Sequence, residues 1–435
     1  MNDNGSKSSP VRTLIVKNFS VIKDARLNFG KITVLIGPQA SGKSLLCKLA
    51  YFLGFILPEI ASESAAYGRS WQQFLSMAED QFTRRFPKNG WGREAFSIVF
   101  VSGEYRVEVG ANFEDANKPL AITFSTRFER LFLENADPGL GGSENADDRV
   151  GKDIRRFFRS YEIHRKTNLL LGNERIEAFA YVPAGRSFFA NLNTAFALFQ
   201  NENLDQHLRE FAGSLEWAMP IGEKPESQSL LAALMKEVEA IQGGAVRIGE
   251  GPPTFAAKDG RELPLALTSS GTQEIVPLLM LLTRLVDDLS GGPLKKRTRR
   301  TRDHFLFVEE PEAHIFPETQ YKLLELFSWL SNEPDLGFSW AITTHSPYTL
   351  SSFNNLILAG QLGHDARLRK KIKIDPRFWV EPGTFRAYSI HDGKLESILS
   401  DSGLINGEYL DSVSETIGNE FDELLRLEYG KKKAS

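Results

Sequence analysis

Gly37-Pro38-Gln39-Ala40-Ser41-Gly42-Lys43-Ser44 fits the pattern G-x-x-x-x-G-K-[ST] without a mismatch. The chemistry open to it is phosphate binding. Backbone N–H groups left unpaired at a helix start, gathered into one concavity, hold phosphate oxygens. Gly37 and Gly42 let the backbone come close, Lys43 places a charge near the β- and γ-phosphates, and the Ser44 hydroxyl is a ligand for Mg²⁺. Three further stretches carry groups that would complete ATP hydrolysis. Glu309 and Glu310 end an apolar run. Glu309 can hold Mg²⁺ directly or through water, and Glu310 can polarise the attacking water. Thr343-Thr344-His345-Ser346 ends another apolar run, where His345 can touch a γ-phosphate and sense its loss. Thr268-Ser269-Ser270-Gly271-Thr272-Gln273-Glu274 opens a helix. A Ser-Gly helix start is an anion site, although an ordinary N-cap has the same composition.

These groups act together only if strands deliver them to one edge. Ile32-Thr33-Val34-Leu35-Ile36 is short, apolar and β-branched, and Leu45 to Leu53 is apolar at helical spacing. Strand, glycine loop and helix therefore follow in the order a phosphate loop needs. His304 to Val308 and Phe338 to Thr343 are continuous apolar runs, the pattern of strands buried on both faces. Ala178 to Val182 is a third, ending at Pro183-Ala184-Gly185-Arg186-Ser187. In a doubly wound sheet such strands present their carboxyl ends to the ligand.

The rest of the chain reads more plainly. Val11 to Lys17, a turn at Asn18-Phe19 and Ala25 to Phe29 predict a small antiparallel layer. Periodicity predicts helices over 71–86, 150–171, 187–200, 204–217, 227–241, 270–289, 317–330 and 411–429. A hairpin is expected at 95–109 and a mobile loop at 135–148. The expected fold class is α/β: a mixed sheet flanked by helices, with an N-terminal antiparallel β layer. The head comprises 1–57 and 178–435, interrupted by an α+β insertion, 58–177, with a helical arm.

Composition narrows the class. Of 435 residues, 41% are hydrophobic and 25% charged, a globular profile. The net charge of −4 argues against a chain that binds nucleic acid by overall basicity. The single cysteine, Cys47, excludes an intrachain disulfide framework and a Cys/His metal set, and suits a reducing cytosol. A polar N-terminus and the short length of unbroken apolar runs predict a cytoplasmic protein without a membrane span. Lys295 to Arg302 is a basic run that reads either as a solvated loop or as a grip on a phosphate backbone.

Asn18-Phe19, Gly37 to Ser44, Ser269 to Gln273, Phe305 to Pro317 and Thr343 to Pro347 together resemble the ATP-binding-cassette type of ATPase. Within that type they resemble the branch shared by SMC, RecF and OLD-like proteins. Glu309 stands where transporter ATPases have Asp. Glu309-Glu310-Pro311-Glu312-Ala313-His314 with Pro317 behind it is similar to compact members that lack a long coiled coil. The resemblance covers about 11–57, 178–200 and 265–430, and leaves 58–177 uncovered.

The resemblance implies that ATP is sandwiched between two heads, with Ser270, Gly271 and Gln273 of one meeting the γ-phosphate on the other. The family places a Gln on the loop after a mid-chain strand. The corresponding loop here has Arg186 instead, which would read the γ-phosphate or a partner. OLD-type members carry a nuclease after the head, and the roughly 90 residues after His345 lack an Asp-x-Asp cluster. The expectation is therefore an ATPase without nuclease activity of its own, self-associating around ATP and controlling a separately encoded effector, a nuclease, in prokaryotic antiviral defence. The rival expectation is a RecF-like DNA-repair ATPase that binds duplex DNA directly.

Overall fold

The computed structural model describes residues 12–111, 120–136, 149–173, 177–191, 205–218, 230–247, 253–291, 303–334 and 336–406. The chain opens with β1 (Thr13–Phe19), β2 (Ile22–Asn28) and β3 (Ile32–Ile36), followed by α1 (Lys43–Tyr51), α2 (Leu57–Ala66) and α3 (Trp71–Arg85). Next come β4 (Phe96–Ser102), β5 (Tyr105–Ala111), β6 (Ala121–Phe124), α4 (Thr126–Asn135), α5 (Arg149–Leu170) and β7 (Glu177–Val182). Helices α6 (Gln206–Ala218) and α7 (Leu230–Gln242) lead to a small sheet of β8 (Gly244–Arg247), β9 (Thr254–Ala257) and β10 (Glu262–Pro264). The chain continues with α8 (Ser270–Gly291), β11 (Asp303–Glu309), α9 (Pro317–Asn332), β12 (Phe338–Thr344), α10 (Pro347–Leu362), β13 (Phe385–His391) and β14 (Lys394–Ser397).

Eleven strands form one sheet in the order β6-β5-β4-β1-β2-β14-β13-β3-β12-β11-β7. The stretch from β13 to β7 is parallel throughout, while β6 to β2 is antiparallel. This is the mixed α/β architecture expected, with helices on both faces. β4, β5 and β6 belong to this same sheet, extending it beyond β1.

Register sets the site. In β11, Glu309 lies beside Thr343 of β12, and Thr343 lies beside Leu35 of β3. Three strand ends therefore finish level at the edge from which the phosphate loop departs. Both faces of this half are covered. Phe305 and Phe307 of β11 pack with Leu46 and Leu49 of α1 on one side. Leu306 and Val308 pack with Leu278 of α8, Phe327 of α9 and Leu350 of α10 on the other. Side chains of a strand alternate between faces, so a strand with two cores must be apolar at every position.

Lys43–Ala66 forms one helical run of 24 residues that by length and composition could cross a membrane, but 72% of its apolar window is buried within the fold. Lys48, Glu59 and Glu63 interrupt that run in the sequence, which hides its length. At its middle, Phe52–Ile56 widens into a π-helical turn, and the Tyr105 hydroxyl donates to the Leu53 carbonyl at 2.8 Å. The β5 strand is thereby fastened to the helix that follows the phosphate loop.

Several boundaries move. β1 runs on through Phe19 and turns at Ser20-Val21, because Phe19 is a core residue packed on Phe96, with ring centroids 4.7 Å apart. The helix placed after Ser187 begins as a 3₁₀ turn, Arg186–Asn191, and its continuation lies outside the described residues. So do most of the 135–148 loop, the basic run Lys295 to Arg302 and the closing helix from Asp411. Cys47 is buried, and burial pushes its thiol pKa up.

Candidate functional site

The loop between β3 and α1 is shaped by its glycines. Gly42 has φ 105°, and a Cβ there would lie 2.3 Å from Ile22 Cδ1 at the start of β2. Only glycine combines that dihedral with that contact. Gly42 also offers no capping side chain, so the first amides of α1 receive none. The Ser41 hydroxyl lines the cavity here and is buried without a hydrogen-bond partner. These are unfilled donors of the kind phosphate oxygens accept from.

Lys43 is 5% exposed, and its ammonium donates to the Gly37 and Pro38 carbonyls, both at 2.8 Å. Burial lowers its pKa, and the carboxylates of Glu310 and Glu312 work against that. Its Nζ lies 3.5 Å from His345 Nδ1, and His345 Nε2 lies 3.2 Å from Glu310 Oε1. Ammonium can only donate and carboxylate only accept. A neutral imidazole with its proton on Nε2 satisfies both contacts. Lys43 at the start of α1, Glu310 at the end of β11 and His345 at the end of β12 thus line up at one cavity of about 490 Å³. Val21, Phe86, Pro87 and Trp91 also line that cavity.

Two residues that were not singled out as site members hold this line in place. Glu312 is buried, and its Oε1 accepts from the Thr344 hydroxyl at 2.6 Å and from the His345 amide at 2.9 Å. Thr343 accepts the Glu310 amide at 2.9 Å through its carbonyl. Glu310 itself has φ 42°. The left-handed region costs a non-glycine residue roughly 1–2 kcal/mol, so such contacts decide where its carboxylate points. The Pro311-Glu312 context was visible in the sequence, but the bond from Glu312 to His345 spans 33 residues.

Other expected members lie elsewhere. Glu309 is 6% exposed, and its carboxylate accepts from the Tyr181 hydroxyl at 2.5 Å and the Ala184 amide at 3.0 Å. It does not line the cavity, so direct metal ligation there does not fit its placement; Ser44 does line it. Arg186 is 0% exposed. It reads no phosphate, because its guanidinium is committed to four main-chain carbonyls of its own chain, those of Pro183, Glu274, Glu309 and Glu310. Burial lowers its pKa, opposed first by Glu274, whose carboxylate lies 3.7 Å away.

Ser270 is exposed at the start of α8, while the Ser269 hydroxyl accepts the Thr272 amide at 3.3 Å as a helix cap. Gly271 packs on the loop after Glu310; a Cβ there would be 2.6 Å from the His314 carbonyl oxygen. The Gln273 amide donates to the Ala266 and Thr268 carbonyls, each at 2.9 Å. None of Ser270, Gly271 and Gln273 lines the cavity of this chain. His207 is buried against Tyr51 and Tyr181, and burial lowers its pKa to about 3.

Residues 142–350, just under half the chain, match the AAA ATPase domain family. That span begins beyond the phosphate loop and includes Ser270, Glu310 and His345. No curated protein matches the chain in sequence. Among solved structures the chain is similar to the SMC head domain from Thermotoga maritima, at 11% identity and a TM-score of 0.35, over 91% of this chain and 100% of that one. It is similar to the Smc head domain derived from Pyrococcus furiosus, with an extended coiled coil and bound to the C-terminal domain of ScpA, at 12% identity and a TM-score of 0.34 over 94% and 100%. It is also similar to the recombination mediator RecF bound to ATP, at 12% identity and a TM-score of 0.34 over 89% and 99%. The chain carries an ATPase domain, and ATP hydrolysis is its chemistry.

Proposed function

We propose that this ATPase is a nucleotide-driven head that closes on a second copy of itself around ATP and so controls a separately encoded effector. The observation that carries the reading is the split between two surfaces. Lys43, His345, Glu310 and the free Ser41 hydroxyl share one cavity, while Ser270 stands exposed outside it. An exposed anion-binding helix start without its own ligand is explained by a neighbour's γ-phosphate. Leu267 and Phe316, 72% and 75% exposed, lie beside Ser270 and beside the His314-Ile315 turn that Gly271 touches. Apolar exposure of that size around a polar motif suits a face that another copy covers.

Lys43 would neutralise charge on the β- and γ-phosphates. Glu310 would accept the proton of the attacking water, with His345 oriented between them. Mg²⁺ fits this cavity, since it takes few protein ligands beside phosphate oxygens, and Ser44 and Glu310 both line it. When bound it would offset the charge developing on the phosphates.

The effector reading is a nuclease acting in prokaryotic antiviral defence, in the cytoplasm. It is supported by the resemblance of the run Glu309 to His314, with Pro317 behind it, to compact members of that ATPase branch. The rival reading is direct binding of duplex DNA, for which α5 offers the exposed basic side chain of Arg165. Purifying the Glu310→Gln protein with ATP and identifying what accompanies it tests the first reading. A neighbouring-gene protein captured only with ATP supports it; metal-dependent cleavage of DNA by the chain alone overturns it. Salt-dependent duplex affinity without such a partner would establish the rival.

A further inference from the structure

Resting on the reading of Glu310 as the base, we infer that Arg186 is the positioning residue for that carboxylate, and the joint between it and the Ser270 helix. The guanidinium has five N–H donors in a fixed plane and no acceptor. Nη2 donates to the Glu310 carbonyl at 2.9 Å, and Nη1 donates to the carbonyls of Glu309 at 2.6 Å and Pro183 at 3.0 Å. Nε donates to the Glu274 carbonyl at 3.1 Å. One side chain thus grips the end of β11, the loop after β7 and the first turn of α8.

Its grip on Glu310 acts where the backbone is least favoured. The left-handed residue is held by its amide, through Thr343, and by its carbonyl, which accepts from Arg186 and from the Ala313 amide at 3.0 Å. Without Arg186 the Ala313 amide alone would hold the carbonyl, so the peptide plane after Glu310 would be less restrained and the carboxylate would drift from His345. A carbonyl clamp of four needs the planar fork of arginine, and a lysine ammonium cannot span it.

The helix end of the clamp gives it a second consequence. Glu274 is four residues beyond Ser270 on α8 and is 3% exposed, with its Oε2 lacking a hydrogen-bond partner beside the guanidinium. A push on the start of α8, such as a second copy seating there, would reach Glu310 through Arg186.

The test is a two-residue cycle on the full chain. Arg186→Lys should lower the turnover of ATP by roughly 10²-fold, the loss expected from misplacing a catalytic group by about 1 Å. ATP affinity should stay within about threefold, because Lys43 and the loop are untouched. In the Glu310→Gln background the same substitution should change the residual rate by less than about twofold, since a residue acting through Glu310 has nothing left to position. Losses that multiply in the double variant, or an affinity that falls with turnover, would overturn the inference and leave Arg186 as a stability residue. Should Arg186→Lys fail to fold, Glu274→Gln takes its place in the same cycle, with a smaller loss expected; unchanged turnover or multiplying losses would again overturn it. Wild-type protein that hydrolyses no ATP would instead sink the functional reading beneath it.

Discussion

The two halves of the proposed site are built in opposite ways. The phosphate-loop half is concave and largely buried: Lys43 is 5% exposed, and its partners arrive from three parallel strands in fixed register. The Ser270 half is open, with Ser270 itself exposed and Leu267 and Phe316 standing out beside it. The first half is assembled by folding. The second is prepared by folding, through the cap at Ser269 and the close fit of Gly271 on His314, and waits for something outside the chain. Substitutions in the first should change what one molecule does alone, and substitutions in the second what two do together.

The largest effect is expected at Lys43. Lys43→Ala removes the charge nearest the β- and γ-phosphates, so tight ATP binding should vanish in equilibrium titration. Unchanged affinity would dissolve the first half of the comparison. Glu310→Gln comes next. An amide cannot accept a proton from water, and loss of a general base typically costs ~10²–10⁴-fold in rate. Single-turnover assays should show ATP bound and uncleaved; wild-type turnover would transfer the role to another group, with Glu312 the next candidate.

Ser270→Arg addresses the second half. ATP binding to a single head should stay near wild type while association on ATP is blocked, measurable by light scattering. Mixing Ser270→Arg with Lys43→Ala sharpens the contrast. Each mixed pair holds one doubly defective and one intact composite site, so part of the ATPase activity should return. No recovery despite proven mixing would count against a site shared between copies.

The smallest effect lies outside both halves. Burial, then Glu63 and Glu210, raise the Glu59 pKa to about 7. A folded pKa above the ordinary carboxylate value of about 4.3 means that the folded state holds this proton more tightly. Stability then falls as pH rises from that value through about 7. The melting temperature of Glu59→Gln should lose that part of the slope, with turnover unaffected. An unaltered slope would show that Glu59 ionises normally.

Much of the first half was legible along the chain because its information is local. A glycine loop between a β-branched strand and an amphipathic helix carries its own context, and the runs before Glu309 and His345 are apolar at every position because each strand has a core on both faces. The fold class followed from those same runs. What folding alone decided was direction and partnership. Glu309 and Glu310 are neighbours in sequence, yet one turns to Tyr181 and the other to His345, because the chain passes from extended strand to a left-handed residue between them. Arg186 looked like a phosphate reader on a loop, and became a buried clamp because four carbonyls from three segments converge on it. No periodicity encodes that convergence. It depends on which strand ends finish level, and the register of β7, β11 and β12 exists only once the sheet has formed.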